Sequence, residues 1–183
     1  MRHSIPTAAG EKLDPNLPGR QVCRVGVMSD THNHLPNVVR IVELLNDACV
    51  DVVVHTGDVT QAKTLRVLAG LAAPQVGVWG NNDLERSSLD SACSDHGFHF
   101  IHGLLEVVWS DRRVSVVHDP LEIDAAVLTR ADVVLHGHNH RRVEECWDGT
   151  LVFNPGECAG HVAGWNAVGI VDLKTLACEI LRF

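Results

Sequence analysis

The chain has 183 residues, of which 45% are hydrophobic, and its formal net charge is −8. This length and apolar content favour one globular domain with a core and argue against a disordered chain. The negative charge argues against a protein that holds nucleic acid on a basic surface, so we expect no stable nucleic-acid binding. No apolar run is long enough to cross a bilayer, so no membrane partner is predicted.

Residues 1–21 contain three prolines and lack the apolar middle region of a secretory signal. We therefore predict a flexible N-terminal leader over residues 1–21 and a single domain over residues 22–183. The six cysteines lie far apart and form no CxxC pair. Without a signal peptide this pattern favours reduced thiols over a disulfide framework, and it predicts a cytoplasmic location.

The first half of the domain alternates between strand and helix patterns. The segments VCRVGVM, DVVVHTGD and QVGVWGNND read as three buried strands. An amphipathic helix beginning near Pro36 separates the first two strands, and a second helix over TQAKTLRVLAGLA separates the next two. This order predicts a parallel sheet with right-handed crossovers.

The second half is richer in strands. The segment LLEVVWSDRRVSVVHD reads as two strands, followed by a short helix near residues 121–129 and by a strand that runs into GHNH. The pair Asp148-Gly149 is a strong turn signal and predicts a hairpin, and the last 18 residues read as another hairpin. We expect two sheets packed face to face.

Polar side chains of the metal-binding type follow five of the predicted strands. Because ligands bind at the carboxyl ends of strands in open α/β sheets, we expect these side chains to meet at one rim. Each short motif alone has a simpler explanation, such as a turn or a helix N-cap, and only the ordered set indicates a site. The set comprises Asp30, His32, Asp58, Asn81, His118, His138 and His140.

The motifs DTH, GD, GNND, H and GHNH, in this order, resemble the calcineurin-like metallophosphoesterase superfamily. The NPG that follows is similar to its small single-domain bacterial and archaeal phosphodiesterase branch. The resemblance implies an α/β fold, a two-sheet αββα sandwich of the metallophosphoesterase type. It also implies an enzyme that hydrolyses a small phosphoester, above all a phosphodiester, by in-line attack of a metal-bridging hydroxide.

The resemblance further implies two divalent metal ions. Asp30, His32 and His140 would hold the first ion, Asn81, His118 and His138 the second, and Asp58 would bridge them. The donors are nitrogen and oxygen without a thiolate, so Mn, Fe, Co, Ni and Zn ions all suit the site. The sequence does not choose among these metals, and it leaves a homo-oligomer open.

Two residues are candidates for a catalytic role beside the metals. Many members of the family carry histidine at the position of Asn82, which cannot act as an acid at neutral pH but can donate a hydrogen bond to a phosphate oxygen. This departure favours diesters and good leaving groups over monoesters. His34 could supply the missing proton, although an exposed loop histidine is an equal interpretation.

Several neighbouring residues keep two interpretations. Asp119 stands where the family usually has glycine, and it either orients His118 or caps a helix begun by Pro120. Asp83 either orders the loop near Asn82 or starts a helix at Leu84. A structural role is expected for His55 and His136, a loop near the site for Asn154 and Gly156, and Glu157 stands where the branch often has serine. No role is predicted for His96, His99, His102 and His161.

Two other function classes compete with the enzyme. A retromer subunit of eukaryotic cells uses this fold as a non-catalytic interaction scaffold, but with an incomplete ligand set, whereas all seven positions are filled here. A structural or mononuclear zinc site on the terminal histidines would leave Asp30, Asp58 and Asn81 without a purpose. The complete set therefore favours the metal-dependent hydrolase.

Overall fold

Two β-sheets lie face to face in the computed structural model, which describes residues 13–162 and 164–183. The first sheet contains β1 (Arg24–Met28), β2 (Val52–His55), β3 (Gln75–Val78), β4 (His99–Ile101), β10 (Ala167–Asp172) and β11 (Cys178–Arg182), in the order β11-β10-β1-β2-β3-β4. The second contains β5 (Leu105–Trp109), β6 (Arg112–Val116), β7 (Val133–Leu135), β8 (Val143–Trp147) and β9 (Thr150–Asn154), in the order β5-β6-β7-β9-β8. Strands β1 to β4 are parallel, as are β6, β7 and β9.

Helices cover the outer face of each sheet. The first sheet carries α1 (Leu35–Asp47), α2 (Ala62–Leu68) and α3 (Arg86–His96), and the second carries α4 (Ala125–Arg130). The predicted two-sheet αββα sandwich is therefore confirmed. None of the helices in the described part of the chain has the length and apolar character of a membrane span.

Strand β2 shows why three successive positions, from Val52 to Val54, are all apolar. Val52 and Val54 pack in the core between the two sheets, whereas Val53 faces the helices on the outside. A parallel strand is covered on both faces, so alternate side chains enter two different cores and the strand reads as a continuous apolar run.

The N-terminal segment packs on the domain over its described part. Residues 1–12 of the predicted leader lie outside the described residues. Leu17 is only 3% exposed and joins the core between the sheets. The Trp109 indole N–H donates to the Pro15 carbonyl at 2.9 Å, and the Val108 N–H donates to Asn16 Oδ1 at 3.1 Å. These contacts tie residues 13–17 to β5.

Three elements differ from the sequence-based expectation. Strand β4 is not predicted, because it has only three residues. Helix α3 is predicted only as one alternative for Asp83, with a start at Leu84 rather than Arg86, because it is polar except for three buried side chains. The helix expected near residues 121–129 is two pieces, a 3-10 turn over Pro120–Glu122 and then α4. Asp124 caps α4 by accepting a hydrogen bond from the Val127 N–H at 2.8 Å.

The predicted hairpins are confirmed, and the C-terminal one joins the first sheet through β10 beside β1.

His55 is a buried polar residue of the fold and has the structural role expected for it. Its Nδ1 accepts a hydrogen bond from the Gly57 N–H at 3.1 Å. The other nitrogen of the neutral ring then carries the hydrogen, so Nε2 donates to Thr31 Oγ1 at 3.1 Å. Burial lowers the pKa of His55 to about 3, although the charge of Asp58 opposes this change.

We predict that His55 makes the fold less stable in mild acid. The unfolded side chain titrates near 6.5, so between that pH and about 3 the unfolded chain binds one more proton than the folded chain. The free energy of unfolding therefore falls as the pH drops below 6.5, and His55 accounts for about 2 kcal/mol of the loss at about pH 5. Urea denaturation of the metal-free protein at neutral and mildly acidic pH measures this loss.

The His55→Asn variant lacks this contribution and should show a smaller difference between the two pH values. His102→Asn is the control, because His102 is exposed, and it should keep the wild-type difference. An unchanged difference in His55→Asn would contradict the assignment.

Candidate metal centre

The carboxyl ends of β1, β2, β3, β6 and β7 meet at one rim, and the structure brings all seven predicted donors together there. One group of donors consists of Asn81, His118 and His138. His118 Nε2 lies 2.9 Å from Asn81 Oδ1, His138 Nδ1 lies 3.0 Å from the same oxygen, and the two ring nitrogens are 3.2 Å apart. Neighbouring donors that share one ion at about 2.0–2.1 Å are separated by about 2.8–3.4 Å, between octahedral and tetrahedral angles, so these three atoms fit one cation.

A second group consists of Asp30, His32 and His140. The Nε2 atoms of His32 and His140 are 3.3 Å apart. Asp30 Oδ1 lies 3.5 Å from His140 Nε2 and 3.9 Å from His32 Nε2. The distances between donor atoms are slightly longer in this group than in the first. Both groups consist of one oxygen and two imidazole nitrogens.

Asp58 lies between the two groups. Its Oδ2 is 3.4 Å from His32 Nε2 in one group and 3.6 Å from His118 Nε2 in the other. One carboxylate oxygen therefore faces both groups at nearly equal distances.

The carboxylate of Asp30 has an oxygen without a partner. Its Oδ2 accepts from the Ser29 hydroxyl and from the His138 N–H, whereas Oδ1 is buried and has no hydrogen bond within the described residues. Burial raises the pKa of Asp30, and the Ser29 hydrogen bond only partly offsets this. Buried carboxylate oxygens are rarely left unpaired, because desolvation without a partner costs about 1–3 kcal/mol or more. A cation beside Oδ1 would satisfy it, so the residues present fit a metal ion.

Two of the histidines are held in the form that a metal requires. His118 Nδ1 donates to the Thr56 carbonyl at 2.9 Å, and His140 Nδ1 donates to Glu157 Oε2 at 3.0 Å. Each contact fixes the proton on Nδ1 and leaves the Nε2 lone pair directed at the site. Burial also lowers the pKa of His32, which keeps that imidazole neutral.

The backbone at the site is strained. Non-glycine residues with positive φ are uncommon and cost about 1–3 kcal/mol each, and they cluster at functional sites. Five of the seven predicted donors have this conformation: Asp30 (φ 51°), His32 (39°), Asp58 (60°), His138 (71°) and His140 (55°).

Asp83 fixes the loops that follow β2 and β3. Its buried carboxylate accepts from the backbone N–H groups of Asp58 at 3.0 Å, Thr60 at 2.6 Å and Gly80 at 2.7 Å. Helix α3 begins three residues later, at Arg86. Of the two interpretations of Asp83, the structure therefore supports the ordering of the loop.

Asn82 contacts the shared carboxylate. Its backbone N–H donates to Asp58 Oδ1 at 2.9 Å, and its side-chain amide donates to Asp58 Oδ2 at 2.8 Å. Burial alone would raise the pKa of Asp58, but these two hydrogen bonds and the nearby His118 and His32 hold it below its usual value. Asp58 is therefore ionised at neutral pH.

His34 and Asp119 both cap helical turns. His34 Nδ1 accepts from the Asn37 N–H at 3.4 Å at the start of α1. Asp119 Oδ1 accepts from the Leu121 N–H at 2.9 Å, while its other oxygen lies 3.8 Å from His138 Nε2. The cap interpretation of Asp119 is confirmed.

Two residues at the site have no role predicted from the sequence. Glu157 is buried and orients His140, and the ring of His161 lies 5.2 Å from that of His140 and 5.6 Å from that of His32. A single histidine in a loop carries no periodic or motif signal that could have identified it. Asn154 has the expected place near the site, since its amide donates to the Gly137 carbonyl at 3.2 Å.

The chain is similar to proteins of known class over most of its length. Residues 23–176 match the calcineurin-like phosphoesterase superfamily domain. A phosphodiesterase from Methanocaldococcus jannaschii is 36% identical over 155 residues, which cover 82% of this chain and 93% of that protein. The structure of an archaeal phosphodiesterase is 34% identical with a TM-score of 0.78, over 87% of this chain and 99% of the other. The phosphoesterase Yfce from E. coli shares the fold at 22% identity, with a TM-score of 0.65 over 86% and 98% of the two chains.

The domain match covers most of the chain, and the archaeal structure agrees with the fold. The prediction of a hydrolase on this fold is confirmed, and the chain belongs to the calcineurin-like phosphoesterase superfamily.

Proposed function

We propose that the chain is a phosphodiesterase that works with two divalent cations. The first cation would be held by Asp30, His32 and His140, the second by Asn81, His118 and His138, and both by Asp58. The observation that carries this proposal is the position of Asp58 Oδ2, which is 3.4 Å from a donor of one group and 3.6 Å from a donor of the other. The unpartnered Asp30 Oδ1 supports it independently.

The bound cations would lower the pKa of a bound water toward neutrality and neutralise the phosphoryl oxygens during in-line attack. The chain supplies two carboxylates and five neutral donors, so two divalent ions keep a net positive charge that attracts a phosphate anion. The nitrogen and oxygen donors suit Mn, Fe, Co, Ni and Zn ions. A small phosphoester is the proposed substrate, and a homo-oligomer and a cytoplasmic location remain predictions.

Among the four histidine donors, His138 of the second group is the most exposed. The side chain of His138 is 40% exposed, whereas that of His118 is 6% exposed, and Asn82 is exposed beside Asp58. A phosphate that enters there meets the Asn82 amide, which we propose donates a hydrogen bond to a phosphate oxygen. This contact stabilises the charge that develops during the reaction but supplies no proton to a leaving group.

His34 remains the proposed proton donor for the leaving group. Because its Nδ1 accepts from the backbone of α1, the hydrogen of the neutral ring lies on Nε2. That nitrogen faces Gly160, in the loop that carries His161. Since both ring nitrogens face these backbone segments, we propose that the proton reaches the leaving group through a water molecule rather than by direct contact.

Activity should depend on metal and on Asp58. The protein stripped with a chelator should not hydrolyse bis-p-nitrophenyl phosphate, and Mn²⁺ or Ni²⁺ should restore the reaction. Asp58→Asn and His138→Ala should each lower kcat/KM by about three orders of magnitude or more, since each removes or weakens a ligand of the cations that would stabilise the charge of the transition state. Release of p-nitrophenol measures the rate.

Asp95→Asn and His102→Ala are the matched controls, because both residues are exposed and lie outside the site, and they should keep wild-type activity. Full activity in the chelated protein would refute the metal mechanism. Stoichiometric metal binding without hydrolysis of any diester or monoester would assign the chain to the scaffold class instead.

The substitution Asn82→His should shift the preference towards monoesters. It adds a general acid next to the shared carboxylate, and such groups typically contribute about 10²–10⁴-fold in rate. We expect kcat for an alkyl phosphomonoester to rise by about tenfold or more relative to kcat for the aryl diester, whose good leaving group needs no proton.

Asn82→Ala is the comparison, since it removes the amide without adding an acid, and it should slow both reactions. Equal changes on monoester and diester in Asn82→His would show that the identity of this residue does not set the preference.

A further inference from the structure

The loop after Glu157 brings a third imidazole to the group of Asp30, His32 and His140. The ring of His161 is stacked on that of His140, with centroids 5.2 Å apart and planes 23° apart. It is tilted by 55° to the ring of His32 at a centroid distance of 5.6 Å. One ring nitrogen of each of the three histidines lies within 4.8 Å of the other two.

Hydrogen bonds fix the backbone on both sides of His161. The Val162 N–H donates to Glu157 Oε1 at 2.8 Å, and the Gly160 N–H donates to Asn166 Oδ1 at 2.9 Å. The other oxygen of the same Glu157 accepts from His140 Nδ1 at 3.0 Å. One buried carboxylate therefore positions both His140 and the peptide that follows His161.

We propose that His161 is a further ligand of the first cation, beside Asp30, His32 and His140. The inference rests on the proposed two-cation function and extends its ligand set. With the shared Asp58, the first cation would have two carboxylates and three imidazoles, which leaves one position of an octahedral ion for solvent or a phosphate oxygen.

The composition of the first group supports His161 as a ligand of the cation rather than as a contact to the substrate. His161 is exposed, but its ring lies beside those of His32 and His140, whose side chains are only 21% and 29% exposed. A neutral imidazole adds a strong donor without reducing the positive charge of the site. Three imidazoles also make this position favour Fe, Co, Ni or Zn ions over Mn²⁺ or Mg²⁺.

Titration of the metal-free protein with Co²⁺ tests the proposal. Calorimetry gives the affinity of each binding step, and the visible absorption of Co²⁺ reports its donors. The His161→Ala variant should weaken one step by about tenfold or more and change the absorption of that step, while the other step stays within about twofold. Because His161 is exposed, the variant should keep the fold, which circular dichroism checks.

Two further variants serve as a positive and a negative control. His140→Ala removes a donor of the same group and should weaken the same step, and His102→Ala, an exposed histidine elsewhere, should change neither. Unchanged affinities and absorption in His161→Ala would overturn the proposal. A higher KM for the diester with unchanged Co²⁺ binding would also overturn it, because it would make His161 a substrate contact.

The outcomes separate this inference from the proposed function. A wild-type protein that binds Co²⁺ in a His161-dependent way but hydrolyses no phosphoester would leave the inference intact and refute the function. An active wild type whose Co²⁺ binding does not depend on His161 would refute only the inference.

Discussion

One carboxylate oxygen, Asp58 Oδ2, determines how the rest of the site is arranged. It lies between two groups of donors, each with one oxygen and two imidazole nitrogens, at 3.4 Å from one group and 3.6 Å from the other. Two cations placed so close together repel each other strongly, and a shared anion offsets that repulsion. The Asn82 hydrogen bonds keep Asp58 ionised, so this anion is present at neutral pH.

The fold supports this arrangement in two ways. Several strands end at the same rim, and hydrogen bonds fix the loops that follow them. Five donors adopt left-handed backbone conformations that L-residues avoid. Such strained conformations persist only where surrounding contacts fix them. Asp83 fixes the loops after β2 and β3 by accepting hydrogen bonds from three backbone N–H groups. The strained backbone at the rim lowers stability, and apolar burial in the three cores, one between the sheets and one on each outer face, offsets this loss.

The sequence predicts the parallel core, both later hairpins and the convergence of the seven donors, because apolar runs and strand-end motifs are local signals. It predicts α3 only as one alternative for Asp83, because the buried side chains of that helix are too few for a clear period. It does not predict that β10 pairs with β1, which depends on contacts between distant segments. The same limit applies to the site. Glu157 and His161 reach it through the path of a loop, and no spacing in the chain encodes that path.

We propose that two cations share Asp58, and anomalous diffraction from crystals soaked in Co²⁺ tests this most directly. The account predicts two peaks about 3.5–4 Å apart, one on each side of Asp58 Oδ2. A single peak held only by the terminal histidines, or two peaks with Asp58 bound to neither, would contradict it.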